Sequence, residues 1–314
     1  IVYACIAARM RPFSEVRFAM QEMINGRPGK LSSDPSLSLL ERPWPNAQTG
    51  ELLVRMEQDN SLAGNFYAAR VNYSTGPGIR RMRPDWVSIV SGINGDAADP
   101  TQLEAEPIAY IYHVPGQTAR LISAENVGHF SPEPDPISTW RGMSWLTPVI
   151  REVQADEYAT NHKAKWYQNG AALSTVISYD ASLTPQQFAE YVRLFNENHR
   201  GPKKAFETLH IGGGGDATVI GSELKTDFRA IQGAGETRIA SAAGVGAIIA
   251  RFSEGLQGSS LNQGNYAAAK RQFSDMLLRP NWRAAAGALS KFTSPPENHR
   301  LWYDTYDVEF LKED

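Results

Sequence analysis

The chain has 314 residues, 42% hydrophobic and 21% charged, with a formal net charge of -3 and a negative mean hydropathy. No apolar run approaches the roughly 18 residues of a membrane-spanning helix, and near-balanced charge argues against tight phosphate binding along a basic stripe. Cys5 is the only cysteine, so an intrachain disulfide and a cysteine-based zinc site are excluded, which fits a reducing environment.

In chain order, Val2 to Met23 carries apolar and small residues at helical spacing and reads as one helix, closed by Asn25-Gly26-Arg27-Pro28-Gly29. Ser33 to Pro45 is a proline-punctuated loop, and Thr49 to Leu62 returns to a helical pattern. Gly64 to Val71, Trp86 to Val90, Ile108 to Val114 and Arg120 to Ser123 read as short strands. The N-terminal part is therefore α+β, a small sheet with flanking helices.

The character changes at Gly142. Thr147-Pro148 supplies a capping hydroxyl and a first-turn proline, and the run from Pro148 to Gln168 has neither glycine nor internal proline. Asn169-Gly170 closes it as a C-cap, leaving a rod about 30 Å long. A β-like piece (Leu173 to Tyr179) follows, then a helix opened by Thr184-Pro185 and reaching about Asn198. After Thr218-Val219-Ile220, a second long helix is expected from about Ser222 to Ala243, weakened by Gly233 and Gly235. Ser253 to Gly264 is a polar glycine-containing loop. Asn265 to Met276 is a strong helix continuing through Leu278, bent or ended by Pro280, and Leu301 to Leu311 alternates as an edge strand. Opening at Ile1 without a methionine and closing at Asp314 amid charges, the sequence reads as the ordered part of a longer protein.

Signatures of bond chemistry do not assemble. Gly212 to Gly215 lacks the Lys-Ser/Thr of a phosphate-binding loop and the spaced glycines of a dinucleotide fold, and reads as a turn. The six histidines include no pair at helical ligand spacing. Ser259-Ser260 has no positioned base, and Asp96/Asp99 and Asp304/Asp307 read as surface turns. No catalytic group, cofactor or metal site is expected.

Arg251 to Arg283 holds Arg251, Lys270, Arg271, Arg279 and Arg283 against Glu254 and Asp275. A solvated helix face explains this, and so does a loop and helix start facing a polyanion. The neutral amides of Gln257, Asn262 and Gln263 would touch phosphates without holding them.

Several local motifs resemble, in order, the portal proteins of tailed double-stranded DNA phages, the long-tailed family. Val2-Tyr3-Ala4-Cys5-Ile6 is similar to that family's opening helix, Gly64-Asn65-Phe66-Tyr67 to a strand, and Met82-Arg83-Pro84-Asp85-Trp86-Val87 to a turn. Asn126-Val127-Gly128-His129-Phe130 stands where the family has Val-Leu-His-Ile. Gly142-Met143-Ser144-Trp145-Leu146-Thr147-Pro148 resembles the start of its first long helix, with the proline displaced, and Tyr167 to Ala171 resembles that helix's end. Ala243-Gly244-Val245-Gly246 stands in place of Phe-Gly-Val-Pro without the proline. Leu278-Arg279-Pro280-Asn281-Trp282 and Tyr306 to Phe310 are similar to later motifs.

The resemblance implies a portal fold and a structural, non-enzymatic ring of commonly twelve copies at one capsid vertex. Residues 1–146 would form the wing, with 265–314 adding a long helix and closing wing strand. Residues 147–170 and 222–251 would be stem helices, 171–221 a small α/β clip, and 252–264 a tunnel loop, while a C-terminal crown is absent from this chain. Tunnel-loop contacts to non-sequence-specific double-stranded DNA would come from Ser253, Gln257, Ser259, Ser260, Asn262 and Gln263, with basic contacts from Arg251, Lys270 and Arg271. Further partners would be the terminase large subunit, a head-tail connector or adaptor, and the major capsid protein. The rival readings are another head-tail connector ring protein and an α+β metal-dependent nuclease.

Overall fold

Helix α1 (Val2–Phe13) opens the chain, but it is half the length expected from the run up to Met23. Pro12 removes one helical donor, and Ser14 closes the helix by giving its Oγ proton to Arg11 O at 2.8 Å. The chain then forms strand β1 (Arg17–Ile24), which turns at Asn25-Gly26 into β2 (Arg27–Ser32). Both turn residues have positive φ (52° and 78°), the geometry of a tight hairpin that Asn-Gly adopts readily. The helical count was outweighed by this turn.

The computed structural model describes residues 1–168, 175–178, 184–199, 216–219, 228–252 and 263–312. Two units result, one of Ile1–Ile150 with Glu236–Asp314 and the other of Arg151–Gly235. In the first unit, α2 (Ser38–Glu41) and α3 (Thr49–Ala63) precede β3 (Phe66–Tyr73) and β4 (Gly76–Met82). Then come β5 (Val87–Ile93), β6 (Asp96–Ala97), β7 (Glu106–Tyr112), β8 (Arg120–Ser123) and β9 (Val127–Phe130). Later elements of this unit are α7 (Ala247–Ala250), α8 (Gln263–Phe273), α9 (Arg279–Leu289) and β12 (His299–Asp304). Three antiparallel sheets form, in the orders β12-β1-β2, β4-β3-β9 and β6-β5-β7-β8.

The β4-β3-β9 sheet is a middle layer. Phe66, Tyr67, Ala68 and Ala69 are all buried, as a strand covered on both faces requires. On one face Phe130 meets Phe13 of α1 at 6.1 Å, and a Cβ on Gly128 would collide with Phe292 and Ala288 O at the end of α9. On the other face Tyr67, Ala69 and Val127 pack with Val87 and Tyr110 of the β6-β5-β7-β8 sheet. Helices and the third sheet thus lie on opposite sides of one sheet.

The α8 helix does not stop at Pro280. It widens into a π turn over Ser274–Leu278, where the Arg279 N–H reaches back to Ser274 O, and continues as α9. Pro280 sits in the first turn of α9, where its missing N–H costs little. Trp282 of α9 is fully buried and donates its Nε1 proton to Phe13 O at 3.0 Å. The terminal strand is shorter than expected: β12 stops at Asp304, whose Oδ1 accepts from the Tyr306 N–H at 2.9 Å, and a 3-10 turn occupies Glu309–Leu311. It does form an edge strand, paired with β1.

Helix α4 (Ile150–Gln168) leaves the first unit after a 3-10 turn at Thr147–Val149. In the second unit, β10 (Thr175–Ser178) pairs antiparallel with β11 (Asp216–Val219), and α5 (Pro185–His199) begins where expected. Its start is a reciprocal cap: the Thr184 N–H donates to Gln187 Oε1 at 3.1 Å and the Gln187 N–H to Thr184 Oγ1 at 3.4 Å. Helix α6 (Phe228–Ala242) leads back into the first unit. The mixture of α and β elements agrees with the expected α+β class.

Candidate nucleic-acid interface

The segment expected to touch DNA is bounded by two packed helices. At the end of α6, Gly244 takes a left-handed φ of 69°, and a Cβ there would meet Leu277 Cδ1 at 2.7 Å, so glycine makes the bend for which the sequence offers no proline. Val245 is buried, and α7 follows for a single turn. Arg251 closes α7 at φ 60°, and Phe252 turns inward, its N–H bonded to Ala247 O at 2.9 Å. Helix α7 packs on both α1 and α8.

Of the sequence candidates, Ser253, Gln257, Ser259, Ser260 and Asn262 lie outside the described residues, as do Asn169-Gly170, the Gly212–Gly215 tract and the expected helix start at Ser222. Gln263 is the first residue of α8. Arg251 and Arg271 are exposed. Lys270 is committed elsewhere: its Nζ donates to Lys312 O at 2.8 Å and lies 5.5 Å from the centre of the Phe310 ring.

Beneath the α6–α7 bend sits a buried ion pair absent from the sequence candidates. Arg9 of α1 donates from Nε to Glu57 Oε1 of α3 at 2.6 Å and from Nη1 to Ala243 O at 2.7 Å. Glu57 is 0% exposed and also accepts from Ser61 Oγ at 3.0 Å, with longer contacts from Asn60 and Asn281. The pair pins the last turn of α6 to α1 and α3.

A second knot holds the approach to α4. Asn65 Oδ1 accepts from the Gly142 N–H at 2.8 Å, and Asn65 Nδ2 donates to Gly142 O and Ala63 O, each at 2.8 Å. The amide is therefore oriented, and His129 Nε2, 3.0 Å from Oδ1, must carry the proton. The His129 ring stacks on Tyr67 at 4.4 Å, and Tyr110 OH lies 3.4 Å from Nδ1. Three motifs far apart in sequence, at Gly64-Asn65, His129 and Gly142, meet here. Ser144 Oγ then donates to Ser61 O at 2.6 Å, so the two knots share α3 through Ser61.

Burial, with the nearby Arg141 charge, lowers His129 from its ordinary 6.5 to about 4. The unfolded chain therefore takes up this proton first: the stabilisation is complete above about pH 6.5 and is lost as pH falls toward 4. Urea unfolding followed from pH 7.5 to 4 should show this decline, and His129→Gln should flatten that part of it.

The sequence held a signal for Glu57. Leu53, Met56, Glu57, Asn60 and Ser61 fall on one helical stripe, so the pattern sets polar groups among buried ones. Cys5 is fully enclosed, and burial pushes its thiol up to about 11, which makes it unreactive. Among the described residues no three of His, Cys, Asp or Glu converge on a metal-sized site, and no helix is long and apolar enough to cross a membrane.

Residues 1–313 match the family model described as phage portal protein. The chain belongs to the phage portal protein family. That match decides in favour of the portal reading over the connector and nuclease ones. Among solved structures, this portal chain is similar to an HK97-family phage portal protein from Corynebacterium diphtheriae, with 13% identity and a TM-score of 0.65, covering 100% of this chain and 94% of that one. It is also similar to chains in the neck of a native gene transfer agent particle computed with C12 symmetry (20% identity) and in the virion of that particle (21% identity). Each of these has a TM-score of 0.64 and covers 98% of this chain and 81% of the other. At such identities the likeness is one of fold. No curated protein matches the chain.

Proposed function

We propose that the chain is the subunit of a portal ring at one capsid vertex, forming the channel for packaging and ejection of double-stranded DNA. The observation that carries this reading is the portal family match across residues 1–313. The C12 symmetry of the gene transfer agent neck supports twelve copies. In this reading residues 1–146 and 265–314 form the wing, 147–170 and 222–251 the stem, and 171–221 the clip. The clip docks the terminase large subunit and later the head-tail connector, and the major capsid protein surrounds the ring, which assembles in the host cytoplasm.

The ring does no bond chemistry, and ATP hydrolysis belongs to the motor. Twelve copies at -3 each come to -36, a field that discourages DNA from adhering to the walls. Contact falls to the tunnel loop, 252–264, through Ser253, Gln257, Ser259, Ser260, Asn262 and Gln263, with Arg251 and Arg271 at its margins. Lys270, already bonded to Lys312 O, contributes less than its neighbours. Loop ends fastened to packed helices suit a lining that yields locally while the collar stays rigid.

Electron-microscope class averages of the purified chain should show a ring with a central hole, and light scattering should give a mass several times 34.6 kDa. A strictly monomeric species at high concentration overturns the reading. Deleting Gln257 to Gln263 should leave the ring intact while impairing packaging or retention of DNA. Full-length packaging by such rings removes the loop assignment.

A further inference from the structure

Charge in the first unit is segregated across the middle sheet. Residues 96–126, which build β6, β7 and β8 of the β6-β5-β7-β8 layer, hold five carboxylates and one arginine, a net of -4. Residues 263–292, on the helical side, hold five cations and Asp275, a net of +4. Because the β4-β3-β9 sheet has this layer on one face and α9 with α1 on the other, the elements that carry the two charge sets lie on opposite sides of it.

Each set borders exposed apolar surface. The strand register places Ser88, Ile111 and Leu121 in one column, on the face opposite Tyr110, and Leu121 is 71% exposed. Leu103, in the loop before β7, is 98% exposed and stands beside Glu104 and Glu106. On the helical side, Arg279, Arg283 and Gly287 recur every four residues along the exposed stripe of α9, and exposed Lys291 follows in the 3-10 turn Ser290–Phe292. Trp282, Ala285, Ala286 and Leu289 face inward. Met276, on the π turn just before this stripe, is 77% exposed. Asp275, 3.2 Å from Arg279, is the single carboxylate in 263–292.

We infer that the acidic face of the β6-β5-β7-β8 sheet docks on the basic α9 stripe of a second copy of this chain. A patch and its opposite-charged counterpart on reverse sides of one body give a head-to-tail contact, which closes into a ring when the rotation permits. Apolar residues supply the contact area, and the flanking charges set partner choice and register. The inference rests on the portal-ring reading and deepens it by naming the faces that meet.

The test uses two surface variants, Glu104→Lys with Glu106→Lys, and Arg279→Glu with Arg283→Glu, at about 0.15 M salt, where exposed charges act over about 8 Å. Alone, each cancels the net charge of one patch (-4 becomes 0 on the acidic side, +4 becomes 0 on the basic side) and sets the reversed residues against an unaltered partner face, so it should lose at least tenfold in the fraction assembled, read by mass photometry. Mixed in equal amounts, the two should co-assemble as alternating copies, because each reversed face then meets its complement. Circular dichroism melting checks that both variants fold. If one does not, Leu121→Arg replaces the acidic-side variant and should also block assembly. The inference is overturned if folded single variants assemble like the parent, or if mixing restores nothing. It is likewise overturned if the variants form rings and fail only to enter capsids, since the face then belongs to the capsid protein. A parent chain that never forms rings defeats the portal-ring reading instead, so the two failures are distinguishable.

Discussion

Replacing Glu57 with alanine should lower the unfolding free energy by about 3–5 kcal/mol, the usual cost of leaving one member of a buried ion pair unmatched. Arg9 is 4% exposed, and without Glu57 its guanidinium would keep only the bond to Ala243 O. Ser61 Oγ would lose its acceptor as well. Chemical denaturation with urea measures the loss directly. The double variant Arg9→Met with Glu57→Leu separates charge burial from packing, since removing both charges together should recover most of the stability. A single-variant loss below about 1 kcal/mol, the range of an exposed pair, would contradict the buried ion pair described for this site.

Gly64→Ala should be nearly as damaging, at roughly 2–5 kcal/mol from left-handed strain and overpacking together. Gly64 has a φ of 70°, and a Cβ built there lies 2.3 Å from the Met143 carbonyl carbon and 2.6 Å from Gly142 O. These are backbone atoms held by Asn65, so no side chain can rotate away. The substitution should therefore loosen the segment ahead of α4 as well as the middle sheet. Hydrogen exchange should show faster exchange at the Gly142 amide in this variant, while the β12-β1-β2 sheet keeps its protection.

Much of the fold was legible because local pattern and tertiary context agreed. Thr184-Pro185 announced α5 through a cap that needs only neighbouring residues, and the alternation around Phe66 to Val71 announced β3. Where the two disagreed, the reading failed. Met20 and Met23 sit at positions that a helix or a strand could use, and the strand wins because β1 finds partners in β12, almost 280 residues away, and in β2. At Pro280 the sequence left a bend and an end both open, because a proline's effect depends on the preceding hydrogen bonds, which the π turn rearranges. The site divides in the same way. Arg251 and Arg271 are proposed from charge alone, whereas Glu57 and Asn65 act through partners up to 224 residues away in sequence, which no local pattern encodes.

The line of bonds from Ser144 through Ser61, Glu57 and Arg9 to Ala243 has a consequence for how such a chain diversifies. The 85 residues from Arg151 to Gly235 depart from and rejoin a body that secures both ends within itself. An insert of this kind can lengthen or shorten at little thermodynamic expense, about 0.6 kcal/mol for each doubling of a flexible connection. The core that carries it need not be redesigned. The buried polar groups of the first unit hold the segments before Arg151 and after Gly235 whatever the length of the excursion between them.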